Sequence, residues 1–194
     1  TFYETFYKAD GTSQSDGITY YNAGKDAVKF LLDNADPRVG RYFNPYSGTS
    51  YAGNTLGITE PAPLTAANTS KLGYVSGSKG HMIGTFDKSA PILTDFESLF
   101  VQAEAVERGF IAGSGKALYN SAIAQSFAYL GLSVSDAAAF TSSEKTNVNY
   151  DLAPNKINLI LMQKWITLNG IALVEIWTDF RRSGITIFSP LTAD

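Results

Sequence analysis

The residues after Pro91 carry a helical period that is interrupted by helix-capping residues, and this pattern constrains the fold more than any other feature of the chain. Apolar residues recur there every three or four positions, as in helices that bury one face. Thr94 and Glu97 have the spacing of a capping box, which marks a helix start, and Gly109 marks the end of the same helix. The predicted buried stripe of this helix comprises Phe96, Leu99, Phe100, Ala103 and Val106.

Four further helices are predicted, and helix pairs joined by short turns are the layout of an α-solenoid or a bundle. Residues 141–153 lack the helical period, and the alternation in Asn147–Asp151 predicts an extended loop segment. Inward positions of the second helix are predicted at Leu118, Ala122, Ile123 and Phe127. The four helices are expected from about Ser114 to Leu130, from Ser135 to Phe140, from Pro154 to Leu168 and from Ile171 to Arg182, with Gly131, Gly170 and Gly184 as stops.

Residues 1–90 differ in composition from the rest of the chain. They hold 11 of its 17 glycines and lack a sustained period, which predicts long ordered loops. One short helix is predicted from Lys25 to Asn34, with Ala27, Val28, Leu31 and Leu32 on its apolar face and Asp36-Pro37 after its end. We therefore expect a mainly α protein whose N-terminal half carries long irregular loops.

Composition limits the possible functions. A chain of 194 residues buries one sizeable core, so residues 1–194 are predicted to be a single-domain fragment, with a loop-rich ligand-side region (1–90) and a helical region (91–188). A net charge of −3 without a basic stripe makes nucleic acid an unexpected partner. The absence of cysteine excludes thiolate catalysis and cysteine-based metal sites, and no apolar run is long enough to span a bilayer. The ends suggest a piece trimmed on both sides.

The predicted helix Phe96–Gly109 ends in A-E-A-x-x-R-G, and upstream of it Asp36-Pro37-Arg38 is followed by Tyr42-Phe43. Both stretches resemble motifs of the C-terminal part of SusD/RagB-type nutrient-binding proteins. Leu118–Ile123 with Phe127, and then Asn149-Tyr150-Asp151, follow in the family's order. The most specific signal is Gln163–Ile166 followed by Glu175–Gly184, which reads Q-K-W-I…E-x-W-x-D-x-R-R-x-G. The likeness covers about residues 25–188.

The resemblance implies a tetratricopeptide-like helical scaffold at the outer-membrane surface of Bacteroidetes. Such a protein captures glycans or oligopeptides and passes them to a SusC-like TonB-dependent transporter, without cofactor and without catalysis. The family's signal peptide and lipid-bearing cysteine are not in this sequence, so membrane association through a lipid anchor is inferred from the resemblance only. The matching motifs are scaffold helices, so ligand contacts must be sought in the loops.

Aromatic residues of the first region are the candidates for ligand binding. Sugars are bound by flat aromatic faces and planar polar groups, and the stretch from Tyr42 through Asn54 has that composition. We predict ligand contacts from Tyr46, Tyr51 and Tyr74. The alternative is that these rings pack the loops onto the helices.

The tryptophans and charged residues of the helical region are predicted to be structural. Trp165 lies on a stripe with Leu161 and Leu168, and Trp177 lies on a stripe with Leu173 and Phe180, so both are expected in the core. At the end of the last helix, Asp179 is expected to pair with Arg182, and Arg181 and Arg182 complement the helix dipole. Along the first helix, Glu97, Glu104 and Glu107 are expected at capping or solvated positions.

Three other kinds of site have weaker support in the sequence. Ala112–Ala117 fails as a phosphate loop in its spacing and in following a helix, so a helix-entry turn is expected. His81 is the only histidine, and no G-x-S-x-G motif accompanies it, so a packing or surface role is favoured over a catalytic triad. An all-oxygen calcium site in the loops stays open, without an EF-hand pattern in support.

The sequence therefore favours a glycan- or oligopeptide-binding subunit with no catalytic residues. The first alternative is a glycan-degrading hydrolase that uses a carboxylate pair, which would need two carboxyl groups across a cleft. The second alternative is a helical adaptor that binds another protein.

Overall fold

Two compact units make up the described part of the computed structural model, which comprises residues 8, 21–55, 68–73 and 89–185. One unit precedes Ala90 and the other begins there. The first unit contains α1 (Lys25–Asp33), α2 (Val39–Tyr42), β1 (Phe43–Asn44) and β2 (Lys71–Leu72). The second contains α3 (Asp95–Glu107), α4 (Gly115–Tyr129), α5 (Val134–Thr141), α6 (Lys156–Leu168) and α7 (Leu173–Ser183). The chain is mainly helical, as predicted.

Helix α1 buries one apolar face and ends in a tight turn. Ala27, Val28 and Leu31 are buried as predicted, but Leu32 is 46% exposed. Leu32 lies about 100° further round the helix than Leu31, so it falls at the edge of the buried face. The helix ends at Asp33, and its closing turn places Ala35 at a φ of 51°, where glycine is more usual.

A buried ion pair connects α1 to α2. The side chains of Asp36 and Arg38 are both fully buried, and the Arg38 Nη2 atom lies 2.6 Å from Asp36 Oδ2. The Arg38 Nε atom also donates to Asp36 Oδ1, at 2.9 Å. Tyr42 and Phe43, which follow, are buried too. A buried charge needs such a partner, so the D-P-R…Y-F stretch serves the fold of this unit.

The core of the second unit is built from aromatic contacts between helices. Helix α3 packs along α4, α6 packs on both, α5 packs on α4, and α7 packs on α6. The rings of Phe100 and Tyr119 meet edge to face at 6.1 Å between centroids. Tyr119 is fully buried and its hydroxyl donates to the Val148 carbonyl at 2.6 Å, whereas the predicted Leu118 is only half-buried. Ala122, Ile123 and Phe127 are buried as predicted.

Capping residues set the helix boundaries in the second unit. The side chains of Thr94 and Ser114 accept hydrogen bonds from the backbone amides of Glu97 and Ala117. Asn155 caps α6, so Pro154 lies before the helix and not in its first turn as predicted. Helix α7 begins at Leu173, two residues later than predicted. The predicted stops Gly109, Gly131, Gly170 and Gly184 all have φ between 68° and 77°, which glycine adopts without strain.

The loop before α6 consists of turns, so the prediction of an extended segment over Asn147–Asp151 was wrong. The amide of Asn149 donates to the Lys145 carbonyl at 2.8 Å, as in a helical turn. The Asn149 side chain then accepts a hydrogen bond from the Asp151 amide and donates one to the Ser143 carbonyl. Asparagine stabilises turns in this way, and the apolar alternation in the sequence did not reveal it.

The two tryptophans have opposite environments. Trp165 is 6% exposed, as predicted for a core residue. Trp177 is 58% exposed, and Leu173 on the same stripe is 65% exposed, so the prediction that Trp177 belongs to the core was wrong. The buried side of α7 carries Ile176 and charged residues. The helical period located an apolar face correctly but did not show which face of α7 packs inward.

Candidate binding groove

An open groove lies in the first unit between α1 and the loop that follows β1. Its volume is about 330 Å³, at the lower end of the roughly 300–1,000 Å³ typical of small-molecule sites. It is lined on the helix side by Lys25, Val28, Lys29, Leu32 and Asp33, and on the loop side by Tyr51, Ala52, Gly53 and Thr55. One aromatic ring, an apolar floor and several polar groups therefore meet at one place.

Backbone hydrogen bonds hold the loop side of the groove in place. The Asn54 amide donates to the Ala23 carbonyl, and the Lys25 amide donates to the Asn54 carbonyl, each at 2.8 Å. On the other side of the loop, the Ser70 amide donates to the Ala52 carbonyl at 2.9 Å. The loop thus lies between the chain that enters α1 and the chain that enters β2. A binding site on a loop held in this way needs little ordering when a ligand arrives.

Gly53 allows the loop to approach α1 closely. A Cβ atom at this position would lie 2.5 Å from the carbonyl carbon of Gly24 and 2.6 Å from the amide nitrogen of Lys25. Both atoms belong to the backbone, so no side chain can move aside to make room. Glycine is therefore required at residue 53 for the groove to have its present width.

Several polar groups at the groove have no hydrogen-bond partner among the described residues. Within the described residues, neither the Lys25 ammonium nor the hydroxyls of Tyr51 and Thr55 make a hydrogen bond. The side-chain oxygen of Asn54, between the lining residues Gly53 and Thr55, is buried and also lacks a hydrogen bond there. Lys25 is exposed, so water solvates its ammonium, whereas Tyr51 and Thr55 are half-buried. Buried polar groups are usually hydrogen-bonded, so the unpartnered groups of Tyr51, Asn54 and Thr55 beside the groove are available to a polar ligand.

The three tyrosines that were predicted to bind ligand differ in their position relative to the groove. Tyr51 lines the groove, and its hydroxyl lies so close to α2 that a Cβ atom on Gly40 would be 3.1 Å away. Tyr46 is 37% exposed and does not line the groove, because it precedes the tight turn formed by Ser47 and Ser50. Tyr74 lies outside the described residues. Lys25, Lys29 and Asp33 were not predicted as lining residues, since nothing local in the sequence joins α1 to residue 51.

An ion-pair network occupies the charged side of α7 and involves Glu104, Arg108, Lys164, Asp179 and Arg182. Arg182 binds Glu104 through two contacts, Nη1 to Oε1 at 2.5 Å and Nη2 to Oε2 at 2.9 Å. It also donates to Asp179 at 2.8 Å, which confirms the predicted pair. Asp179 in turn lies 2.8 Å from the buried Nζ atom of Lys164. The network joins three helices, α3, α6 and α7.

Glu97 and Glu104 are both buried, so the prediction that the glutamates of α3 are capping or solvated residues was wrong for Glu104. Burial opposes the ionisation of Glu104, but hydrogen bonds from Arg182 and Arg108 outweigh it and lower its pKa. Burial raises the pKa of Glu97, and the charge of Lys164 offsets this only in part.

The glycine-containing turn before α4 has an acidic environment. Lys116 lies 2.5 Å from Asp151, and the Tyr150 hydroxyl donates to Glu107. Burial, then the hydrogen bond to Glu107, raises the pKa of Tyr150. A Cβ atom on Gly115 would clash with both Glu107 and Tyr150. These carboxylates would repel a phosphate, so a helix-entry turn is the better interpretation of Ala112–Ala117, as the sequence suggested.

The single histidine and a metal site are the remaining candidate features of the sequence. His81 lies outside the described residues. In the part of the chain that the structure describes, no group of three or more histidine, cysteine, aspartate or glutamate side chains is placed to hold a metal ion. None of the helices over the same residues is long and apolar enough to cross a membrane.

The described residues are thus mainly helical, and the first unit has an open groove between α1 and residues 51–55. The chain belongs to the SusD-like family, whose model is described as "Starch-binding associating with outer membrane" and matches residues 3–194. No curated protein gives a significant match. The predicted membership of the SusD/RagB family is confirmed.

Solved structures support the same fold. A SusD homologue from Bacteroides fragilis NCTC 9343 is 17% identical with a TM-score of 0.70, over 97% of this chain and 46% of that one. A homologue from Bacteroides vulgatus ATCC 8482 is 25% identical with a TM-score of 0.67, over 84% and 37%. A chitin-binding protein is 22% identical with a TM-score of 0.62, over 88% and 39%. This chain spans less than half the length of these proteins. The predicted tetratricopeptide-like, mainly α fold is confirmed.

Proposed function

We propose that this chain is part of a cell-surface glycan-binding subunit and that the groove beside Tyr51 binds the glycan. The proposal depends on one observation: the Tyr51 ring and polar groups without a partner among the described residues line one groove, whose loop is fixed by backbone hydrogen bonds. Membership of a family described as starch-binding supports it, as does the similarity to a chitin-binding protein. The groove would hold a short part of a longer sugar chain.

The chemistry of the lining suits a sugar. The face of a pyranose ring is apolar on its C–H side and packs on aromatic rings, which Tyr51 provides. The hydroxyls of a sugar need donors and acceptors, and the groups of Thr55, Lys25 and Tyr51 offer both. An oligopeptide is the less suitable ligand, because the groove offers a single ring and no deep apolar pocket for side chains.

We further propose that the bound glycan is passed to a SusC-like TonB-dependent transporter at the outer-membrane surface, where a lipid anchor holds the subunit. The family description supports an outer-membrane setting. Capture without chemistry is the mechanism, in which the protein raises the local concentration of ligand beside the transporter. The carboxylates of Glu104 and Asp179 are engaged by cations, which makes them unsuitable as the free acid and base of a hydrolase.

The test is calorimetric titration of the full chain with a panel of oligosaccharides and peptides. Tyr51→Ala is expected to weaken binding of the best glycan about tenfold or more, which corresponds to about 1.4 kcal/mol. Tyr46→Ala is the matched control, since that ring lies off the groove, and it should leave the affinity unchanged.

Three results would count against the proposal. Equal binding by wild type and Tyr51→Ala would remove the groove as the site. Preferential binding of peptides would show that the ligand class is wrong. Release of shorter sugars during the titration would favour the hydrolase.

A further inference from the structure

The charges around the groove do not cancel. Lys29 and Asp33 lie one helical turn apart on α1 and form an ion pair at 2.6 Å, so each neutralises the other. Lys25 lies one further turn toward the start of α1 and lines the same groove. Its ammonium has no ionic partner within the described residues. The neighbouring carboxylate of Asp26 is not among the lining residues. Among the described residues that line the groove, one positive charge therefore lacks a compensating carboxylate.

The position of Lys25 is fixed by the same contacts that hold the groove. Its backbone amide donates to the Asn54 carbonyl at 2.8 Å, and Gly24 pairs with Asn54 as a parallel bridge. The Lys25 side chain thus leaves a backbone that is anchored to the loop bearing Tyr51. The Lys25 ammonium and the Tyr51 ring therefore line the same groove on backbones that are hydrogen-bonded together. This arrangement suits a ligand that has both a flat apolar face and an anionic group.

We infer that the groove prefers acidic glycans, in which a carboxylate or sulfate on the sugar binds the Lys25 ammonium while the ring packs on Tyr51. The inference rests on the proposed function, because it assigns the ligand class of the same groove. A lysine ammonium is a point charge without the planar fork of arginine, so it accepts either anion. The pairing of Lys29 with Asp33 keeps the groove from being acidic itself, which would repel such a ligand.

A matched pair of ligands tests this inference. An oligogalacturonate and its methyl ester have the same sugar skeleton and differ in charge, and a sulfated oligosaccharide of similar length distinguishes sulfate from carboxylate. The full chain is expected to bind the acid about fivefold more tightly than the ester, as for a solvent-exposed ion pair. The preference should decrease as salt is added, because the charges are screened.

Two variants extend the test, one that removes a positive charge from the groove and one that removes a negative charge. Lys25→Gln should abolish the preference for the acid, because it should weaken binding of the acid about fivefold more than binding of the ester. Asp33→Asn frees Lys29 and should strengthen binding of the acid several-fold. Lys145→Gln is the control, since that exposed lysine lies in the other unit and should change neither affinity.

The outcomes separate this inference from the proposed function. Equal affinity for acid and ester, or an acid affinity that Lys25→Gln leaves unchanged, would overturn the preference for acidic glycans. If a neutral glycan then bound in a way that Tyr51→Ala weakened, the proposed function would stand without it. If no glycan showed Tyr51-dependent binding, both would fail.

Discussion

Two adjacent arginines end helix α7, and only the second belongs to the ion-pair network. Arg182 binds Glu104 and Asp179, whereas Arg181 is exposed and has no ionic partner among the described residues. Arg182→Gln therefore removes the connection between α3 and α7, and Arg181→Gln removes a charge of the same kind from the same turn. The two variants form a matched pair for measuring what the network contributes to stability.

The magnitude follows from the contacts of Arg182. Its guanidinium makes two hydrogen bonds to Glu104 and one to Asp179. Hydrogen bonds to charged groups contribute about 1.5–3 kcal/mol each, but they are not additive, and the Arg182 side chain is 43% exposed, so water replaces part of the loss. Glu104 and Asp179 also keep their contacts to Arg108 and Lys164. We expect Arg182→Gln to lower the free energy of unfolding by about 2–3 kcal/mol.

The loss of stability caused by Arg182→Gln should depend on pH, and the pKa of Glu104 determines whether it grows or shrinks in acid. Its pKa is lower in the folded chain than in the unfolded chain, because the arginines stabilise the carboxylate. The stabilisation is therefore complete above the unfolded pKa of about 4.3, and it is lost as the pH falls through the lower folded value. The difference between wild type and Arg182→Gln should narrow in acid over this range.

Urea unfolding of the full chain, followed by far-ultraviolet circular dichroism, measures these differences. At neutral pH, Arg181→Gln should stay within about 0.5 kcal/mol of wild type. The reasoning is refuted if the two variants unfold at the same urea concentration, because then the network contributes no more than a surface charge. A penalty that grew in acid would refute the assignment to the Glu104 carboxylate.

Two further stability predictions use matched pairs in the same unfolding assay. Trp165→Ala should lower the free energy of unfolding by about 3–5 kcal/mol, because it leaves a cavity at a buried site. Trp177→Ala should lower it by less than about 1 kcal/mol, since that ring is 58% exposed and contacts Phe180. Equal losses would contradict the exposed placement of Trp177. Gly53→Ala should cost about 1–3 kcal/mol and weaken glycan binding, because its Cβ meets the backbone of Gly24. Gly24→Ala meets nothing within 4 Å and should cost less than about 1 kcal/mol, so a comparable loss in both would show that the close approach is not the cause.

Local features of the fold were predictable from the sequence. Caps such as Thr94 and Ser114 and stops such as Gly109 and Gly131 act within one helical turn, so the residues that determine them stand together in the chain. The helix boundaries were accordingly right to within about two residues. Tyr51, which was predicted from the distinctive composition of the first region, does line the groove, and its role in ligand binding stays a prediction.

Contacts between distant residues were not predictable in the same way. Glu104 and Arg182 are 78 positions apart, and each looks like a solvated residue within its own helix. The groove depends on the approach of residues 51–55 to α1, which Gly53 permits, and no local pattern joins Tyr51 to Lys25. A periodic stripe shows that a helix has two unlike faces, and the rest of the molecule decides which of them is covered.

Helix α7 shows why the apolar face is not always the inner one. Its charged side meets Glu104 and the buried Lys164, and these contacts satisfy groups that would otherwise be buried without partners. Turning α7 to bury Trp177 would break the ion pairs of Arg182 and Asp179 and leave Lys164 buried and unpaired, which costs several kcal/mol. Burying the rest of Trp177, which is 58% exposed, would gain only part of the roughly 1.5–3 kcal/mol that full burial of a large apolar side chain contributes. The register of α7 is therefore fixed by its ion pairs, and the R-R motif is better understood as part of the scaffold than as a ligand site.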